Sequence, residues 1–274
     1  MVEALRTPDD RFHDLPGWDH PPSYAKSLPG FEGLRAHYVD IGPRDAAHTF
    51  LLLHGEPTWA YLYRKMIPVF AAAGGRVVAP DFFGFGRSDK PVEQEVYSFD
   101  FHRDYLLRLV EHLDLTGITL VVQDWGGLLG LTLPMDAGFA PRLSRLLAMN
   151  TGLAVGDSPG QDFEDWRAYA AAHPDLPVGT LLKRSVPALS DAEAAAYDAP
   201  FPDVSYKAGV RAFPLVHRGA SIGRWSVVAW DPQRFLAPYA KSFIDELVVH
   251  CGQHYPGREF TKRVPPLLKP ETKG

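Results

Sequence analysis

The sequence predicts an α/β protein: a doubly wound, mostly parallel sheet with a helical insertion late in the chain. Three observations predict it. Short apolar runs alternate with stretches of helical periodicity. Each run closes on Gly, Pro or Asp, the residues that turns favour. After residue 150 the strand signal gives way to Ala, Pro, Asp and short helical pieces.

The elements follow in order. Phe31 to Ile41 reads as a strand ended by Gly42-Pro43. Phe50 to Leu53 is a continuous apolar run, as suits a strand buried on both faces of a parallel sheet. Thr58 to Ala73 reads as a helix closed by Gly74-Gly75, and Arg76 to Pro80 as the next strand. A glycine-rich loop, Asp81-Phe82-Phe83-Gly84-Phe85-Gly86-Arg87-Ser88-Asp89, follows. Phe99 to Leu113 carries Phe101, Tyr105, Leu109 and Leu113 at helical spacing. Ile118 to Gln123 is a strand, Gly126 to Pro134 an apolar helix and Leu143 to Asn150 a strand. In the insertion, Ser190 is placed to cap a helix starting at Asp191. Beyond it, Ser226 to Trp230 and Leu247 to Cys251 are the remaining strand candidates.

Composition excludes several functions. The chain has 274 residues, 46% hydrophobic and 22% charged, the profile of a globular domain rather than a disordered or coiled-coil chain. A net charge of −5 offers no basic surface for nucleic acid or anionic lipid. The single cysteine, Cys251, allows neither an internal disulfide nor a multi-cysteine zinc site. The first eight residues do not read as a signal peptide, and no apolar stretch reaches the roughly 20 residues of a membrane span. These features predict a cytoplasmic monomer without partners among nucleic acids or membranes.

The chemistry concentrates in Val121-Val122-Gln123-Asp124-Trp125-Gly126-Gly127. A buried strand meets an Asp, then a glycine pair, then an apolar helix, which is the layout of a nucleophile elbow. An Asp at a strand end also serves as an ordinary helix N-cap, and this segment alone fits both readings. His54-Gly55-Glu56-Pro57 ends an earlier strand, where hydrolases of this layout take a backbone N–H for an oxyanion. The two oxyanion donors would be the amides of Glu56 and Trp125.

Taken with Pro80-Asp81-Phe82-Phe83-Gly84-Phe85-Gly86 and Ala199-Pro200-Phe201-Pro202-Asp203, these motifs resemble those of the haloalkane dehalogenases of the α/β-hydrolase superfamily. The likeness is to the subgroup that includes the 1,2-dichloroethane-degrading enzyme, and it runs from Arg6 to about Pro214. It implies an α/β-hydrolase core over 1–154, a helical cap inserted after the sixth strand over 155–222, and a core remainder over 223–274, divergent or truncated, so that the last part of the sheet is incomplete. It implies hydrolysis of a haloalkane to a primary alcohol and halide through an Asp124 alkyl ester. It places halide donors at Trp125 and at Trp166 of the cap, with Phe82, Leu128 and Phe163 shaping the substrate pocket. Each of these also fits plain packing. The reaction needs a small halogenated alkane and water, and neither cofactor nor metal.

The likeness fades from about His217. The base and its acid, which the family keeps in its last third, have no clear counterpart. His254 and Asp231 are the candidates, completing a triad with Asp124; the competing reading is an unrelated tail and a chain impaired in ester hydrolysis. Asn150 could support a histidine only as a neutral partner. Two rival functions follow. An epoxide hydrolase shares Asp-Trp-Gly-Gly and would need acid donors such as Tyr169, Tyr197 or Tyr206. A non-catalytic hydrolase-fold binding protein would keep the pocket and lose turnover.

Overall fold

The computed structural model describes residues 2–152, 161–213, 216, 217, 220 and 221. Its centre is a six-stranded sheet of β1 (Ser23–Lys26), β2 (Arg35–Ile41), β3 (Thr49–Leu53), β4 (Arg76–Pro80), β5 (Ile118–Gln123) and β6 (Leu143–Met149). The order across the sheet is β1-β2-β4-β3-β5-β6. β1–β2 and β2–β4 pair antiparallel, and the remaining pairs are parallel. β3 and β5, the inner strands, are the continuous apolar runs of the sequence. Leu51–Leu53 and Leu120–Val122 are fully buried, because helices cover both faces there.

The core helices are α1 (Ile67–Ala72), α2 (Phe99–His112) and α3 (Trp125–Gly130); those of the insertion are α4 (Gln161–Ala172), α5 (Val178–Ser185), α6 (Asp191–Asp198) and α7 (Ala208–Ala212). Ser190 caps α6 as expected, and Glu193 completes a capping box by accepting from the Ser190 amide at 3.0 Å. The helix expected over 58–73 is broken into a short 3-10 turn, Ala60–Tyr63, and α1. Trp59, Tyr61 and Tyr63 all turn into the core, which a regular helix could not allow at that spacing. The strand expected from Phe31 starts at Arg35, after a turn with Gly33 at φ 87°. β1 has no counterpart in the sequence reading. Its residues, Ser-Tyr-Ala-Lys, are too short and polar to show a period, and it forms by pairing with β2.

A buried carboxylate organises the loops at the carboxyl ends of the strands. Asp81 accepts from the Ala60 amide (2.8 Å) and the Arg87 amide (2.8 Å), and meets His37 Nδ1 at 2.7 Å. Gly86, at φ 49°, lies so close that a Cβ would overlap the Asp81 carboxylate, so the glycine-rich loop can wrap that side chain only with glycine there. The insertion is strapped to the core by buried polar contacts. Trp59 Nε1–H donates to the Ala196 carbonyl (3.1 Å), and Arg64 donates to Glu193 (2.7 Å) and to the Tyr197 hydroxyl (3.2 Å).

Candidate active site

Asp124 leaves β5 with φ 50° and ψ −126°. For a residue with a β-carbon this conformation costs about 1–3 kcal/mol, and it persists only where the surroundings hold it. Here they do. The Asp124 amide donates to the Asn150 carbonyl at 3.2 Å, and the Asp124 carbonyl accepts from the Gly127 amide at 2.9 Å and from the Thr151 hydroxyl at 2.6 Å. A Cβ on Gly126 would overlap the carbonyl oxygens of Leu53 and His54, so α3 packs directly on the end of β3. An N-cap would accept a bond from an amide of its own helix. Asp124 has no such side-chain cap bond; its Oδ2 instead accepts from the Glu56 amide at 3.1 Å. The Asp124 side chain is thus turned to the loop of residues 54–57 rather than to the first turn of α3.

The His54-Gly55-Glu56-Pro57 loop is held from two sides. Phe82 N–H donates to His54 Nε2 at 3.0 Å, which leaves the proton on Nδ1, and Nδ1 donates to the Gly55 carbonyl at 2.8 Å. His54 is therefore a neutral clamp between the loop and the glycine-rich segment, and burial pushes its pKa down. Gly55 has no room for a side chain, because a Cβ would overlap the Asp124 side chain.

Glu56 is the unusual group. Burial, then the Asp124 charge, raise its carboxyl well above the usual carboxylate range, while a hydrogen bond from Trp166 acts the other way. Its Oε1 is buried without a hydrogen-bond partner among the described residues. Burial and the Asp124 charge thus favour the protonated form of Glu56, and its side chain ties the core loop to Trp166.

The remaining expected site residues take the following positions. Trp125 is buried at the start of α3, with Phe163 at 6.5 Å and Phe213 at 5.3 Å between ring centroids. Trp166, on α4, is half-buried and stacks on Tyr169 at 6.0 Å. Phe82 is buried against His54 (4.5 Å), and Leu128 is buried on α3. Glu56, Asp124 and Trp166 thus converge, with Trp125 and Phe163 in contact beside them. His254 and Asp231 lie outside the described residues.

The sequence reading missed Thr151, Phe213 and His102. Thr151 acts through its hydroxyl on the strained elbow, and Phe213 edges onto both Trp125 and His102. His102 is fully buried under Phe82 and Phe213, and burial, then His54, push it down to about 3. The cap tyrosines are otherwise engaged or exposed: Tyr197 takes the Arg64 bond, and Tyr169 is exposed and stacks on His173. Among the described residues, no cluster of three His, Cys, Asp or Glu could hold a metal ion, and no helix is long and apolar enough to cross a membrane.

Comparison with known proteins adds to the geometry. A family profile described as the alpha/beta hydrolase fold matches residues 48–243. A haloalkane dehalogenase of Psychrobacter cryohalolentis is 48% identical over 218 residues, covering 78% of this chain and 71% of that protein. The tetrameric haloalkane dehalogenase DpaA of Paraglaciecola agarilytica superposes with a TM-score of 0.74 at 51% identity, over 78% of this chain and 71% of that one. An epoxide hydrolase of Vigna radiata superposes at 0.55 over 70% of each chain, but at 18% identity it shares the fold alone.

Proposed function

The chain belongs to the haloalkane dehalogenases, hydrolases that act on carbon–halogen bonds, and on that premise we propose how its residues divide the work. Asp124 is the nucleophile. One carboxylate oxygen displaces halide from an sp³ carbon: the C–O bond forms, the C–X bond breaks, and halide leaves with the bonding pair. A serine would have no carbonyl to attack in such a substrate. The indole N–H groups of Trp125 and Trp166 receive the halide, because an indole is a donor only and suits an anion. Phe82, Leu128 and Phe163 shape the apolar approach.

The second half-reaction hydrolyses the Asp124 ester. Water attacks its carbonyl carbon, and the amides of Glu56 and Trp125 hold the oxyanion. His254 is the proposed base and Asp231 the acid that orients it. A chain in which they do not act would be alkylated and release alcohol slowly. A monomer in the cytoplasm, free of cofactor, is the proposed state; sedimentation velocity separates a monomer from the tetramer described for DpaA.

The observation that carries this reading is the Glu56 amide on Asp124 Oδ2 at 3.1 Å, at a strained residue held for that purpose. The test is Asp124→Asn. An amide is a far weaker nucleophile of nearly the same shape, so halide release from 1-bromobutane should be abolished with the fold intact by circular dichroism. Halide release at the wild-type rate would remove Asp124 from the role.

A further inference from the structure

We propose that Arg6, Lys26 and Arg35 form a binding site for a small dianionic oxyanion of the phosphate class. The site lies on the β1–β2 edge of the sheet, with β4 and β3 between it and the β5 elbow, and it is independent of the dehalogenase reading.

The argument starts from register. β1 and β2 pair so that Lys26 stands directly opposite Arg35. Residues directly opposite across an antiparallel pair project on the same face, and like charges there are destabilising. A cavity of about 250 Å³ opens at this point, lined by Arg6, Lys26, Ser27, Gly33, Leu34 and Arg35. The one carboxylate that pairs with these cations among the described residues is Asp89, and Arg6 takes both of its oxygens, at 2.7 and 2.8 Å. The Arg35 backbone amide donates a further bond to Asp89 Oδ2 at 2.9 Å, and the Arg35 Nε only approaches Oδ1, at 3.7 Å.

Arg35 is consequently under-satisfied. Its Nε is buried and has no hydrogen-bond partner among the described residues, while its guanidinium lies 4.1 Å over the Tyr24 ring. A buried charged donor left without a hydrogen bond, with only the long ion pair to Asp89, is costly, and native proteins fill such positions with a partner, water or ion. Glu32, the nearby acidic residue of the turn, spends its carboxylate on the Gly30 amide at 2.9 Å. Three cations against one saturated carboxylate leave two positive charges around a cavity, the complement of a dianion with several acceptor oxygens.

The test uses inorganic phosphate as probe and thermal unfolding as readout, at constant ionic strength set with sodium chloride. Ligand binding to the folded state raises the midpoint saturably. Phosphate and sulfate should do so, and acetate should not. Lys26 is exposed and can be replaced without disturbing the core, so Lys26→Ala should lose most of the phosphate response. Lys26→Glu builds the anion into the protein: its midpoint should rise without phosphate, and phosphate should add nothing. Bromide quenching of tryptophan fluorescence should be the same in all three proteins. A full phosphate response in Lys26→Ala, an equal response to sodium chloride alone, or a Lys26→Glu chain that unfolds below wild type would each overturn the proposal.

Discussion

β5 and β6 lie side by side in register, Leu120 beside Leu146 and Val122 beside Ala148, yet they have opposite fates. Leu120 is fully buried, whereas Leu146 is 49% exposed and Leu147 40% exposed. Both segments read from the sequence as strands of a mostly parallel sheet. The difference is position: β5 is flanked by β3 and β6, while β6 has β5 as its one sheet partner among the described residues. An apolar run reports what a strand is fitted to bury, and neighbours decide whether it does. Function divides along the same line. The end of β5 carries the proposed nucleophile, with the Glu56 amide on its carboxylate; the end of β6 meets Asp124 through the Asn150 carbonyl and the Thr151 hydroxyl.

The largest expected effect tests that division in the chemistry. The residues proposed for the first half-reaction gather at the end of β5, and the proposed base, His254, lies outside the described residues. Losing a general base costs about 10²–10⁴ in the step it serves. We expect intact-protein mass spectrometry after mixing with 1,2-dibromoethane to show a persistent bromoethyl adduct in His254→Ala, and wild type to return to the free protein. The same persistent adduct in both would remove His254 from the role of base and mark a chain impaired in ester hydrolysis.

The next effect tests the comparison in stability. Leu120→Ala removes a fully buried side chain and should cost about 2–5 kcal/mol by denaturant unfolding. Leu146→Ala, its register partner, should change stability by about 0.5 kcal/mol or less. Equal costs would show that the outer part of β6 is covered in solution.

How much was legible in the sequence follows from the range of the forces involved. The elbow was legible because its requirements are local: an Asp at the strand end, then glycines that let α3 meet β3. The α6 cap was legible for the same reason, since Ser190 and Glu193 are three residues apart. The Thr151 hydroxyl on Asp124 and the Asp81 hub were not, because their partners are distant in the chain and leave no periodicity. β1 was not, because it depends on β2 rather than on its own composition. The raised pKa of Glu56 needed the fold, since it follows from burial and from Asp124, neither visible in Gly-Glu-Pro.

A smaller effect belongs to the second indole. Trp166→Phe keeps the aromatic body and removes the donor. Hydrogen bonds to a charged group contribute about 1.5–3 kcal/mol, so bromide should bind roughly ten- to a hundredfold more weakly by fluorescence quenching. An unchanged bromide titration would remove Trp166 from the halide site and leave it as cap packing against Glu56.

The smallest effect is a pH dependence of that same halide site, set by Glu56. Burial and the Asp124 charge raise its folded pKa above the unfolded value. A group shifted this way stabilises the fold fully below its unfolded pKa, and the contribution is lost as pH rises through the folded pKa. The same titration acts on halide. Neutral Glu56 is a weak acceptor and leaves the Trp166 N–H available to an anion; ionised Glu56 holds that N–H and adds a second negative charge beside Asp124. Bromide affinity should therefore fall as pH rises through the Glu56 pKa. The expected change is a rise in the bromide Kd with pH through that range. Glu56→Gln keeps the shape and the backbone N–H and cannot ionise, so its bromide affinity should be flat over the same range. A wild-type profile that is already flat, or a slope that survives in Glu56→Gln, would assign the titration to another group and return Glu56 to a purely backbone role.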